Sequence, residues 1–148
     1  MGAPGLALDF HPQMLLRLVV AAVLGALVGY ERERSGKPAG VRTHGMVSLG
    51  AALFTVVSVQ GFGGAADPAR VAAQIVTGIG FLGAGAILHA RGGVHGLTTA
   101  ASLWVTAAIG MAVGVGMGFM SLTTAVIVFV LLRYGPRPGL SRWPEHAE

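Results

Sequence analysis

The chain has 148 residues, of which 53% are hydrophobic and only 11% charged, and its mean hydropathy is +0.71. Soluble domains carry about a quarter charged residues, so this composition excludes an ordinary soluble domain and describes a single membrane domain. The absence of cysteine excludes disulfides, thiol catalysis and cysteine-ligated metals, and the net charge of +4 gathers at the ends of apolar runs instead of forming a nucleic-acid-binding face.

Residues 1–11 form a short mixed segment whose only charge is Asp9. Without a positive n-region it does not read as a secretory signal, so the apolar run that follows is expected to be retained. That run, Pro12–Tyr30, has about 19 residues, enough to cross a hydrocarbon core of about 30 Å. Arg17 lies in its first turns, where its stem can snorkel to the outer interface. Ala21, Gly25 and Gly29 recur every fourth residue and predict a smooth face for close helix packing.

Glu31–His44, reading ERERSGKPAGVRTH, is the charge centre of the chain. It holds Glu31, Arg32, Glu33, Arg34, Lys37 and Arg42, six of only sixteen charged side chains (ten basic and six acidic). A basic cluster clamped between apolar runs predicts a cytoplasmic membrane-edge loop. Glu31 and Glu33 are the only carboxylates beside other polar groups at such an edge. Helical spacing offers solvated Glu31–Arg34 and Glu33–Lys37 ion pairs as the plain reading. The sharper reading folds Arg42, Thr43 and His44 back from the next span onto the same edge. The resulting Glu31, Arg32, Glu33, Arg34, Lys37, Arg42, Thr43, His44 cluster would bind a phosphate, a lipid headgroup or a partner protein.

The second span is expected over His44–Val59, with Thr43 as its N-cap. Gln60–Ala69 reads as a Gly-rich outer loop ending in Asp67-Pro68, an N-cap followed by proline at the first helical position. The third span, Pro68–Leu88, contains Gln74 and the glycines Gly78, Gly80, Gly83 and Gly85. Gly78, Gly80 and Gly83 satisfy G-x-G-x-x-G literally. The motif lies inside an apolar run, however, and no acidic residue occurs between Asp67 and Glu145, so a dinucleotide site is rejected. These glycines predict helix packing or a local break lining a pathway, and Gln74 predicts an interhelical hydrogen bond.

His89–Gly96 is expected to be a second cytoplasmic loop marked by Arg91. His89 and His95 lack nearby carboxylates or cysteines, so no metal site is assigned. Thr98 is expected to cap the fourth span, Thr99–Gly116. The run from Thr98 to Leu132 would be about 52 Å as continuous helix, too long for one crossing, so a turn is placed at Gly114, Gly116 and Gly118. The fifth span follows as Phe119–Tyr134, and residues 135–148 form a cytoplasmic tail. Five spans put the N-terminus outside and the C-terminus inside, with eight basic residues on the cytoplasmic side. Only Arg17 and Arg70 remain for the outer side, an asymmetry that agrees with the orientation rule. The fold class is thus all-α, a polytopic bundle of about five transmembrane helices over residues 12–134.

Several blocks in order, GALVGYERERSGKPAGVRTH, LGAALFTVVS, DPARVAAQIVTGIGFLGAGAIL and GLTTAASLWVTAAIGMAVGVG, resemble the membrane domain of the MgtC/SapB family over Leu15–Leu132. The resemblance implies a bacterial inner-membrane protein linked to growth at low magnesium and survival within host cells. For some members it implies restraint of the rotary ATP synthase. Many members continue into a cytoplasmic ACT-like domain, and the end at Glu148 is read as a short form without it. The expectation is a non-enzymatic protein that modulates a membrane partner or magnesium-linked homeostasis, with no cofactor. The bilayer, a membrane protein partner and a second copy of the chain are its expected partners, and nucleic acid is not. The alternative is a transporter or channel for a small ion, against which stands the lack of any acidic residue in the last three spans.

Overall fold

Proline at the first helical position starts both the first and the third helix of the computed structural model, which describes residues 11–61, 67–90 and 93–136. The segment before His11, most of the expected outer loop with Gly64, Arg91, and the tail from Arg137 lie outside the described residues. Five helices follow in the expected order: α1 (Pro12–Arg34), α2 (Val41–Gln60), α3 (Pro68–Gly85), α4 (Leu97–Gly114) and α5 (Gly118–Tyr134). Between α3 and α4, β1 (Leu88–Ala90) and β2 (Gly93–His95) pair antiparallel in a short hairpin.

The boundaries depart from expectation where turn chemistry decides them. α1 continues through Glu31–Arg34, so the charged stretch is mostly helix, and the connecting turn spans only residues 35–40. Gly36 takes φ 65°, Gly36 N–H donates to the Glu33 carbonyl and Lys37 N–H to that of Arg32, each at 3.0 Å. This Schellman closure uses a left-handed residue that glycine occupies without a Cβ penalty. Pro38 then blocks any helical continuation. The N-cap of α2 is Gly40, not Thr43, and the Val41 N–H is satisfied instead by Glu33 Oε2 of α1, at 3.1 Å. Thr98 does not cap α4 either: Gly96 holds that position, and the preceding loop has become the hairpin that ends α3 at Gly85. Asp67 does cap α3, accepting the Ala69 N–H at 2.9 Å. The turn expected between α4 and α5 is present, closed at Gly116 by the same pair of bonds, from Gly116 to Val113 and from Met117 to Ala112.

α4 is the central helix, packed against α1, α2, α3 and α5. One apolar core joins Leu24 and Val28 of α1 to Ile109 and Val113 of α4 and Ala125 of α5, and a second joins Ala51, Ile79, Leu103 and Ala107. The interior also carries Ser48, Thr106 and Ser121, each 0% exposed, while Leu16, Val23 and Phe81 are 63%, 59% and 82% exposed. Large apolar side chains outside and small polar ones inside invert the soluble pattern, as a lipid environment allows. α1, α2 and α4 are long and apolar enough to cross a membrane, and α5 is a shorter apolar helix. The chain is an all-α membrane helix bundle.

Arg17 is half-buried, and its Nη1 donates to the Gly114 carbonyl at 2.9 Å. A cation there meets the partial negative charge at the C-terminus of α4. The start of α1 and the end of α4 therefore share one end of the bundle. The α1–α2 turn, the start of α4 and the hairpin lie at the other, called here the turn end.

Candidate functional site

Small residues let α1, α2 and α4 approach closely along the bundle. A Cβ on Gly25 would lie 2.5 Å from the His44 carbonyl oxygen and 2.6 Å from Ser48 Cβ, and one on Gly29 would lie 2.5 Å from the Gly40 carbonyl oxygen. Gly110 of α4 meets the Ser48 carbonyl in the same way. Gly25 and Gly29 thus lie at close contacts between α1 and the start of α2. Gly110, which the sequence reading did not single out, also lies at such a contact.

This tight seam encloses a polar cluster. Glu31, Arg32 and His44 are 3%, 5% and 0% exposed, and around them lie the buried hydroxyls of Ser48, Thr99, Ser102 and Thr106. Ser35 Oγ donates to Glu31 Oε1 at 2.7 Å, and Arg32 Nη2 donates to Thr99 Oγ1 at 2.9 Å. Glu31 Oε2, Arg32 Nε and Ser48 Oγ are buried with no hydrogen-bond partner. Unmatched buried groups of this kind carry a desolvation cost of about 1–3 kcal/mol each, more for charged ones, which packing elsewhere must offset. Ionisable residues inside a membrane bundle mark function by default.

The His44 side chain links α2 to α4. Its Nδ1 lies 3.1 Å from the Gly40 carbonyl, which can only accept, so Nδ1 carries a proton. Its Nε2 lies 3.0 Å from Ser102 Oγ, which is also 2.8 Å from the Thr99 carbonyl. With a neutral ring, the single hydroxyl proton serves Nε2 or the carbonyl, one at a time. Both bonds form together only when the ring holds two protons. The contact between α2 and α4 is therefore coupled to the proton count on His44. The Ser102–His44 spacing also matches a nucleophile with its base. Both side chains, however, are at most 3% exposed, and the large groove between α2 and α3 is lined by neither of them.

The expected eight-residue cluster is thus split in two. Glu31, Arg32 and His44 come together inside the bundle. Glu33, Arg34, Lys37 and Arg42 are exposed, with Glu33 capping α2 and Arg34 Nη1 donating to the Tyr30 hydroxyl at 3.3 Å. Neither expected ion pair of Glu31 and Glu33 forms. Glu31 does not orient Arg42, since one of its oxygens is held by Ser35 and the other has no partner. Thr43 faces the α2–α3 groove. The hydroxyls of Thr99, Ser102 and Thr106 escaped the sequence reading, although their spacing of three and four residues in an apolar span is a polar stripe on one face of a helix.

The α3 candidates also divide. Gly83 is buried against α4, and a Cβ on it would lie in ordinary contact 3.6 Å from Ala100 Cβ. Gly78, Gly80 and Gly85 have no heavy atom of the described residues within 4 Å of a Cβ position, so they do not pack against those residues. Gln74 is exposed toward the groove it shares with Gly78 and makes no interhelical hydrogen bond among the described residues. Among those residues, no three His, Asp or Glu side chains gather where they could hold a metal ion.

Comparison with known proteins places this arrangement. YhiD of Escherichia coli (strain K12), provisionally named a magnesium transporter, is 45% identical over 127 residues, covering 81% of this chain and 59% of its own. An uncharacterized protein of Haemophilus influenzae is 40% identical over 146 residues, covering 90% and 60%. Protein MgtC of Salmonella typhimurium (strain LT2) is 44% identical over 122 residues, covering 80% and 52%. The chain spans between about half and three fifths of the length of these relatives. No solved structure matches it. The model of the MgtC family matches residues 18–137, which contain the whole buried cluster, and the chain belongs to that family.

Proposed function

We propose that the chain is a non-enzymatic protein of the bacterial inner membrane that serves magnesium-linked homeostasis by acting on a membrane partner. The observation that carries this reading is the buried Glu31–Arg32–His44 cluster at the turn end. Arg32 and His44 are buried and held by Thr99 and Ser102 of α4, while Glu31 is held by Ser35 at the end of its own helix, so the cluster sets how α1, α2 and α4 meet. A partner bound at the adjoining exposed edge, with Arg34 and Lys37, reads that geometry. The same exposed cations support an orientation with the turn end in the cytoplasm and the N-terminus outside. The magnesium link is supported by the names of the relatives, and burial of Ser102 and His44 supports a role other than hydrolysis.

The test is growth of a bacterial strain lacking its own family member at limiting magnesium. Glu31→Gln and Arg32→Gln should each fail to restore growth while reaching wild-type membrane levels. Full growth from both variants would refute the assignment of the cluster. One observation favours transport as a second reading: Glu31 Oε2 is a buried carboxylate oxygen with no partner inside the bundle. Magnesium flux into liposomes holding the purified chain, abolished by Glu31→Gln, would replace the first reading with the second.

A further inference from the structure

We infer that the groove between α2 and α3 is a binding site for one anionic phospholipid, with an acyl chain in the groove and the phosphate on Arg42. The groove has a cavity volume of about 640 Å³, in the range of ligand pockets. Its α2 wall is the stripe Met46, Gly50 and Phe54, and its α3 wall includes Gln74, Gly78 and Leu82. From Thr43 to Phe54 the groove follows α2 for about 16 Å, and one leaflet of a bilayer offers about 15 Å of hydrocarbon. The fit is to one acyl chain in one leaflet.

Charge selects the headgroup. Residues four apart share a helix face, so Arg42 continues the Met46, Gly50, Phe54 stripe by one turn, beyond the Thr43 end of the groove. Arg42 is exposed, and Glu31 and Glu33 are engaged elsewhere, with Ser35 and with the Val41 N–H. A guanidinium at the polar end of an acyl-sized groove is complementary to a phosphodiester, which it can hold with two parallel N–H bonds. Gly50 and Gly78 stand on opposite walls, and nothing lies within 4 Å of a Cβ on either. Each wall thus lacks a side chain at that one position. The inference is independent of the role assigned to the buried cluster.

The test uses the purified full chain in detergent, titrated with phosphatidylglycerol or phosphatidylcholine of identical acyl chains and read by native mass spectrometry. Wild type should retain one phosphatidylglycerol per chain in preference to phosphatidylcholine. Arg42→Gln should reduce that preference about fivefold, the effect of one basic residue at a membrane surface. Gly78→Leu, whose Cβ meets no heavy atom within 4 Å and whose side chain projects into the groove, should reduce retention of both lipids about tenfold, as expected when two methylenes lose their burial. Gly50→Leu must do the same from the opposite wall, and it decides the matter if the first variant fails to fold. Equal retention of the two lipids by wild type, or unchanged retention by folded groove-filling variants, would overturn the site. A chain dimer that Gly78→Leu dissolves would also overturn it and assign the groove to a second copy.

Discussion

Gly25→Ala puts one methyl group into the seam where α1 crosses α2, and its cost follows from the distances there. The new Cβ would lie 2.5 Å from the His44 carbonyl oxygen and 2.6 Å from Ser48 Cβ, and ordinary contact begins at 3.4 Å. Both obstacles are fixed by helix geometry and cannot rotate away, so α1 and α2 must part by about 0.9 Å at this point. A gap of 0.5–1 Å forfeits about a quarter to a half of each dispersion contact across the seam, and overpacking alone costs about 1–3 kcal/mol. The expected destabilisation is about 2–4 kcal/mol when the two effects combine. Gly78→Ala is the control: nothing lies within 4 Å of its Cβ, and the expected change is below about 0.5 kcal/mol. Unfolding by sodium dodecyl sulfate in mixed micelles, followed by helical circular dichroism, measures both. Equal midpoints for wild type and Gly25→Ala, or equal losses from the two variants, would refute the assignment of close packing to α1 and α2.

Three other substitutions probe individual bonds in the same assay. Thr99→Val keeps the side-chain shape but removes the acceptor of Arg32 Nη2, and should cost about 1–3 kcal/mol because the guanidinium stays buried. Arg17→Met retains an apolar stem and loses only the bond to the Gly114 carbonyl; a loss of about 1–2 kcal/mol is expected, and none would show that the end of α4 needs no cation. Glu33→Ala leaves the Val41 N–H without its acceptor at the start of α2 and should cost about 1 kcal/mol, a capping effect that Glu33→Asp would restore only if the shorter chain still reaches.

What the amino-acid order determined by itself is local or set by the bilayer. Pro12 and Asp67-Pro68 mark helix starts because capping and the missing proline N–H act within one turn. The Gly114–Gly118 turn follows from the limit that membrane thickness puts on a helix. The four-residue recurrence of Gly25 and Gly29 already describes a close-packing face. Tertiary structure decided which charges stay wet. Glu31 and Arg32 differ from Glu33 and Arg34 by two positions, and a 3.6-residue period sends the first pair inward and leaves the second outside once α1 runs past Tyr30. That continuation depends on Gly36 taking a left-handed turn and on Glu33 reaching the start of α2. The partners of Arg32 and His44 come from far along the chain: Thr99 stands 67 residues from Arg32, and Ser102 stands 58 from His44. The glycines of α3 looked no different from those of α1 and α4. Which of them face a helix and which face an open groove is settled by the neighbours that surround each helix, and a one-dimensional period carries no information about those.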